Sequence, residues 1–232
     1  MQKKQDTSLV WFRNDLRIHD NVSLANAINS NNRVIALYCF DPRLFEVDQF
    51  GFKKTEKYRA KFLIETVTDL KNNLAQLNIP LFIYTIKPEN CIPDLVENYQ
   101  INHIFLQEEW TQEEVDVFNK VKEKLPEHIQ ISTSYNQFLY HPKDIPFNIE
   151  QLPKVFTEFR KACEKQSNIR PETTLSTEKV NEDTLENPTS IPSLSDLGFE
   201  DVEMHPNSAF PFKGGETEAL KRLEDYFFNT KK

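Results

Sequence analysis

Short apolar runs alternate with helical patterns along the first 134 residues. The runs are typical of strands that are covered on both faces of a sheet. They occupy residues 9–12, 33–40, 80–86 and 101–106, and a fifth run is marked by Ile129 and Ile131. Because each run is short and is followed by a helix-length segment, the order of elements favours parallel pairing.

The segments between these runs carry apolar residues at three- and four-residue steps. The longest one begins near Thr55 and forms a single apolar stripe, made of Tyr58, Phe62, Leu63, Val67, Leu70, Leu74 and Leu77. Asp20 and Asn21 can cap a short helix over residues 22–29, Pro88 opens another, and Thr111 precedes an acidic helix. The pattern predicts an α/β fold with a doubly wound, five-stranded parallel sheet of the Rossmann-like kind.

The pattern changes after Tyr135. A short helix is expected around residues 155–161, and residues 164–209 look like an extended linker because Pro, Thr, Ser, Asn and Glu dominate there. Its apolar anchors are sparse: Ile191, Leu194, Leu197 and Phe199. We therefore divide the chain into an α/β domain at 1–163, a linker at 164–209 and a terminal segment at 210–232. A terminal helix from Thr217 must bury its apolar side somewhere. Either it docks back on the sheet domain, or it is the first helix of a second domain; in the second case we expect it to pack weakly here.

Composition removes several classes of protein. The net charge of −8 over 232 residues argues against general coating of nucleic acid, which needs basic surface. Four glycines leave no G-x-G-x-x-G or P-loop, and scattered histidines with no C-x-x-C pair give no support for a metal. Three widely spaced cysteines suit a reducing cytoplasm, and no apolar run approaches membrane-spanning length.

The first candidate site follows the first strand, where Arg13, Asn14, Asp15, Arg17 and Asp20 form a dense polar cluster. Buried charges need partners, so the cluster can be a structural network in which these charges satisfy one another. Alternatively it is a ligand crevice, since open parallel sheets bind ligands at the carboxyl edge, with Phe12, Arg13 or Asn14 in contact. Residues alone favour the structural network.

Two further candidates follow other strands. Glu108 and Glu109 stand beside Trp110 at the end of the fourth strand, where carboxylates can accept from ring N–H groups of a flat heterocycle while an aromatic ring stacks on it. On spacing alone, a solvated helix start whose acidic residues are favoured by the helix dipole is the better explanation. Phe40 and Asp41 follow the second strand, and a simple turn is the better explanation for them from the residues alone.

Several strings together resemble the photolyase/cryptochrome family. W-F-R-N-D-L-R-I-H-D-N at 11–21 matches its opening W-F-R-x-D-L-R-x-x-D-N, and R-A-K-F-L-I-E at 59–65, followed by D-L at 69–70, resembles its next helix. K-P-E at 87–89 resembles the family's G-K-P-E turn, with Ile86 in place of Gly. Residues 139–147 and 155–161 resemble the segment that leaves its sheet domain. S-A-F-P-F-K-G-G-E-T at 208–217 resembles the start of its helical domain in the DASH form.

The resemblance implies an antenna domain, an interdomain linker and the first helix of an FAD-binding domain. It implies that Glu109, and more weakly Glu108, contact an antenna folate, with methenyltetrahydrofolate as the expected chromophore. FAD and DNA binding would belong to the full-length form. That form would repair cyclobutane pyrimidine dimers in single-stranded DNA with blue light, as a deoxyribodipyrimidine photo-lyase, or alternatively would act in signalling. This chain alone is expected to be inactive. A free-standing α/β module that binds a nucleotide, folate or protein is the alternative.

Overall fold

The protein contains one five-stranded sheet in which all strands are parallel. The structure, a computed structural model, describes residues 6–30, 32–176, 178–183, 185–203, 207–208 and 211–230. The strands are β1 (Thr7–Phe12), β2 (Arg33–Cys39), β3 (Leu81–Tyr84), β4 (Ile101–Gln107) and β5 (Gln130–Ser134). Their order across the sheet is β3-β2-β1-β4-β5. This confirms the expected doubly wound α/β fold and places β1 and β4 side by side at the centre.

The residues that the structure describes also form six α-helices. They are α1 (Val22–Asn29), α2 (Lys57–Gln76), α3 (Pro88–Tyr99), α4 (Gln112–Lys124), α5 (Phe156–Gln166) and α6 (Glu216–Glu224), which continues as a π-helical segment over Asp225–Thr230. Asn21 caps α1 as expected, since its side chain accepts from the Leu24 backbone N–H. Thr111 occupies the N-cap of α4, but its side chain makes no capping hydrogen bond. Helix α5 runs five residues beyond the expected 161.

The core has two layers, one on each face of the sheet. Successive residues of β1 point to opposite faces, so Val10 packs in one layer and Leu9 in the other. The first layer includes Leu70 and Leu74 of α2, and the second includes Ile92 of α3. Burying a large aliphatic side chain contributes about 2 kcal/mol, so both layers hold the carboxyl edge of the sheet rigidly in place.

The segment expected as a linker packs onto the sheet domain. Leu194 and Leu197 are buried in the first core layer, and Ile191 and Phe199 pack against it. Asn181 is buried, and its amide group accepts from the Val34 N–H at 2.9 Å and donates to the Val34 carbonyl at 2.7 Å. The side chain therefore hydrogen-bonds to β2 at a level that β3 does not reach. Residues 177, 184, 204–206 and 209 of this segment lie outside the described residues.

Helix α6 is anchored at its first turn and open along the rest. Glu216 accepts from the backbone N–H groups of Ile18 and His19 at 2.8 and 2.9 Å, and Asp69 of α2 accepts from the Thr217 N–H. Leu220 and Leu223 are 42% and 53% exposed. The expectation of weak packing thus describes the apolar side of α6, whereas its start is firmly held.

Candidate functional site

The first two candidate clusters meet at the carboxyl edge of the sheet. Strands β1 and β4 are neighbours, so the residues that follow Phe12 lie beside those that follow Leu106. The Asn14 side-chain amide donates to Glu109 Oε1 at 3.1 Å, and the Gln107 amide donates to the same oxygen at 3.1 Å. Glu109 is thereby held in one orientation. Both of these hydrogen bonds go to Oε1 of the Glu109 carboxylate.

Arg13 occupies the centre of this edge. Its guanidinium lies over the Trp11 ring, 5.0 Å from the centroid, and donates to the Glu114 carbonyl at 2.7 Å. Burial lowers the pKa of Arg13, while the charges of Glu109 and Glu114 oppose that shift. Arg13 therefore supplies a positive charge, largely shielded from solvent, between the two carboxylates.

The remaining charges of the first loop form a different network from the expected one. Asp15 is buried; it accepts from the Arg13 backbone N–H and from the Asn21 amide, at 3.0 and 3.2 Å. Burial raises the pKa of this carboxyl. Arg17 donates to the backbone carbonyls of Asp20 and Asn136, at 3.0 Å each. The expectation that the charged side chains satisfy one another is thus corrected, because backbone groups and an amide take that role.

The third candidate is a turn that is tied to α3. Asp41 caps the short 3₁₀ turn Pro42–Leu44 by accepting from the Arg43 N–H. Arg43 donates to both oxygens of Glu89, at 3.0 and 2.8 Å, and its hydrogen bond to Asp41 raises its pKa. Phe40 is fully buried and packs against Tyr38 and Phe45 in the core. Its side chain therefore belongs to the core beneath the turn. Asp41 lines the cavity described next.

A cavity of about 250 Å³ opens between the ends of β1 and β2 and the start of α4. Phe12, Arg13, Asn14 and Asp41 line it together with Glu114. The Oε2 atom of Glu114 is buried and has no hydrogen-bond partner among the described residues. A buried carboxylate oxygen costs free energy unless a donor reaches it.

Glu114 is therefore a candidate ligand residue that the sequence did not reveal. Its position in the first turn of α4 suggested only an interaction with the helix dipole. Gln107 Oε1 is a second buried acceptor without a partner, and it lines a neighbouring cavity of about 170 Å³. The two unpartnered acceptors thus belong to residues of two separate cavities, and Arg13 lines both cavities. N–H donors of a ligand would satisfy these acceptors.

An aromatic patch begins directly after Glu109 in the sequence. Trp110 is 45% exposed, and its ring lies 5.1 Å from that of Tyr135 and 5.7 Å from that of Phe138. The Gln137 amide donates to the Glu108 carbonyl at 2.6 Å, which joins the segment after β5 to the segment after β4. Glu108 itself lines the 170 Å³ cavity. An exposed aromatic platform beside fixed carboxylates can hold a planar, hydrogen-bonding ring system.

Two further features concern metal binding and membrane spanning. Across the residues that the structure describes, no group of three or more His, Cys, Asp or Glu side chains is placed to hold a metal ion. Within the same residues, no helix combines the length and the apolar character that crossing a membrane requires.

Comparison with known proteins defines the class. The family model described as DNA photolyase matches residues 8–179, and the chain belongs to the DNA photolyase family. Within it, the chain is similar to DASH cryptochromes: it is 42% identical to that of Gloeobacter violaceus over 96% of its length and 41% identical to that of Xenopus laevis over 94%. It covers 44% and 43% of those two proteins.

Solved structures agree with the fold. The chain matches the Synechocystis cryptochrome over its full length with a TM-score of 0.91 and 35% identity, and it covers 48% of that protein. A photolyase from Sulfolobus tokodaii, whose structure contains two FAD molecules, shares the fold with a TM-score of 0.71 at 21% identity. The chain therefore spans a little under half the length of the relatives that it matches.

Proposed function

We propose that this chain is the antenna-chromophore part of a DASH-type cryptochrome or photolyase. In this proposal residues 1–163 form the antenna domain and residues 164–209 the interdomain linker. Residues 210–232 begin a helical FAD-binding domain. The free state of the cysteines fits a reducing compartment, and we place the protein in the cytoplasm.

The observation that carries the proposal is the convergence of fixed carboxylates and an aromatic platform at one edge of the sheet. Asn14 and Gln107 orient Glu109, Glu114 adds an unpartnered oxygen, and Trp110 supplies a stacking surface. A pterin has ring and exocyclic N–H donors on one edge and two flat faces, so these residues suit the pterin of methenyltetrahydrofolate. Glu109 and Glu114 would accept from the ring edge, and Glu108, Phe12, Arg13, Asn14 and Asp41 would shape the surroundings.

A folate held at this site would absorb near-ultraviolet light and pass excitation energy to a flavin. Residues of this chain would bind it, orient it and exclude water from its polar edge. FAD, the DNA substrate and the chemistry of pyrimidine-dimer repair, or alternatively signalling, belong to the helical domain of the full-length form. We accordingly expect this chain alone to have no lyase activity.

Titration with methenyltetrahydrofolate, followed by near-ultraviolet absorbance and fluorescence, tests the proposal. Weak binding is expected, because Trp110 and Phe138 remain exposed and cover only one side of a flat ligand. Absorption spectra of the purified chain should show no stoichiometric FAD. A stoichiometric flavin would refute the assignment, and tight folate binding by the isolated chain would favour a free-standing binding module instead.

A further inference from the structure

Two cysteines meet beside the cavity at the end of β2. Cys39 is the last residue of β2, and Cys91 lies in the first turn of α3. Their sulfur atoms are 3.3 Å apart, and both residues are buried. Cys91 also lies 3.6 Å from the Pro88 carbonyl oxygen, towards which its thiol can donate. The two thiols are therefore held in contact by a strand end and a helix start that the core fixes in place.

Access to this pair comes from one side. Cys39 lines the 250 Å³ cavity at the sheet edge, together with Asp41, Arg43 and Pro88. That volume admits a molecule as small as a peroxide. Cys163, the third cysteine, lies in α5 and is fully buried. Only one of the three thiols thus combines a facing partner thiol with a route from solvent.

From this geometry we infer that Cys39 and Cys91 form a redox-reversible disulfide site when a peroxide enters the cavity. The Cys39 sulfur attacks one peroxide oxygen, the O–O bond breaks, and water leaves after proton transfer, so that Cys39 becomes a sulfenic acid. The Cys91 sulfur then attacks the Cys39 sulfur, the S–O bond breaks, and a second water leaves with the Cys91 proton. Two thiols and one peroxide give one disulfide and two waters, and a dithiol such as dithiothreitol reverses the oxidation.

A disulfide between Cys39 and Cys91 would stiffen the wall of the cavity. Arg43 and Glu89 already join the same two segments through a bidentate ion pair. A covalent bond between Cys39 and Cys91 would fix this junction and close a loop between residues 52 positions apart. Such a cross-link restricts the unfolded chain, so the oxidised protein should melt at a higher temperature than the reduced protein.

The rate should depend on pH. Burial, together with the hydrogen bond to Cys91 and the charges of Asp41 and Glu89, raises the pKa of the Cys39 thiol well above its ordinary value. The thiolate is the attacking form. Oxidation is therefore slow near neutrality and should speed up by about tenfold per pH unit while the pH stays below that pKa.

The test exposes the folded, reduced chain to hydrogen peroxide and measures intact mass, free thiols and cross-linked peptides. The chain should lose about 2 Da, the mass of two hydrogens, and titratable thiols should fall from three to one. Peptide mapping should join Cys39 to Cys91. Cys163→Ala should still form the cross-link, whereas Cys39→Ala and Cys91→Ala should not.

Peptide mapping of the unmodified chain decides the outcome even where a cysteine variant fails to fold. A link through Cys163, or three titratable thiols after exposure to peroxide across the pH range, would overturn the inference. An oxidised protein that melts at the same temperature as the reduced one would remove the proposed stiffening of the cavity wall.

Discussion

Asn21 links the first loop to helix α1 through a single side chain. Its oxygen accepts from the Leu24 N–H, and its amide group donates to Asp15 Oδ2 and to the Arg17 carbonyl. Asn21→Ala would remove the cap and leave the buried Asp15 carboxylate with fewer donors. We expect a loss of about 2 kcal/mol in the free energy of unfolding, measured by urea denaturation.

Asn148→Ala provides the control for this change. Asn148 also caps a turn, by accepting from the Glu150 N–H, but it is exposed. Its loss should cost well under half as much, because water can replace the hydrogen bond. Equal losses for the two variants would show that Asn21 is not a special support of the first loop.

His103 gives the fold a pH dependence that can be isolated. It lies on the Phe105 ring at 3.9 Å and faces the Ser132 hydroxyl at 2.8 Å, and burial lowers its pKa below 6.5. The unfolded chain then takes up a proton at a higher pH than the folded chain does. Stability from this residue is present above pH 6.5 and declines as the pH falls towards the lowered pKa.

The measurement is the urea midpoint of the chain between pH 5 and pH 7.5, a range that includes the ordinary histidine pKa of about 6.5. His103→Gln should flatten part of the decline that the unmodified chain shows on acidification. His128→Gln is the matched control, since His128 is exposed. An identical slope in the unmodified chain and in the His103 variant would contradict the assignment.

Among the elements, the segment after α5 protects an edge of the sheet. Strand β3 lies at the edge, where unpaired backbone groups invite further strand pairing. Asn187 donates to the Leu81 carbonyl, the Thr189 hydroxyl accepts from the Ile83 N–H, and Asn181 pairs with Val34. Side chains, rather than another strand, thus complete the hydrogen bonding of this edge.

Asn181→Ala should therefore release the segment from the sheet. It leaves the N–H and carbonyl of Val34 without their partner, which costs about 2 kcal/mol, and it should speed limited proteolysis of residues 178–203. Glu182→Ala is the control because Glu182 is the exposed neighbour. Unchanged proteolysis in the Asn181 variant would mean that the apolar anchors alone hold the segment.

The start of α6 depends on Gly215, the N-cap residue of this helix. Gly215 has φ +112°, and a Cβ atom there would lie 2.6 Å from the Asp69 Cβ. Gly215→Ala should detach α6 from α2 without unfolding the sheet, and hydrogen exchange at Ile18 and His19 should rise because Glu216 no longer reaches their N–H groups. Gly51→Ala is the control for backbone strain without steric crowding. Gly51 also has a positive φ, +83°, but no atom lies within 4 Å of a Cβ atom at that position. Equal exchange in the two variants would contradict the role of close packing.

The elements that could be predicted from the sequence are those that depend on neighbouring residues in the chain. The strands of the core were found to within a few residues because continuous apolar runs mark them. The start of β1 was missed because Thr7 and Ser8 are polar yet buried. The cover of the β3 edge could not be predicted, since it depends on single amide side chains that contact the sheet from far along the chain. The Asn14–Glu109 contact could not be predicted either, because it joins residues that are distant in the sequence and come together only when β1 pairs with β4.

For the whole molecule, the site at the sheet edge is open on one side. Phe138 and Leu139 are 48% and 66% exposed next to Trp110, and the chain covers 44% of its relative from Gloeobacter violaceus. In the proposed function, the helical domain would cover this side. A flat ligand gains most of its affinity when both faces are enclosed, so the isolated chain should bind folate weakly whichever carboxylates it presents.

Glu109→Gln should therefore weaken folate binding only when this chain is joined to the remaining part of the Gloeobacter relative, which lies beyond the 44% that this chain covers. Loss of the charged acceptor removes a charge-assisted hydrogen bond that is worth about 2 kcal/mol in an enclosed site, or roughly thirtyfold in affinity. Exposed Glu127 supplies the matched change, Glu127→Gln, which should leave the affinity unaltered. The measurement is folate retention in the joined protein, followed by absorbance. Unchanged retention in the Glu109 variant would show that Glu109 does not bind the folate and would leave Glu114 as the acceptor at the site.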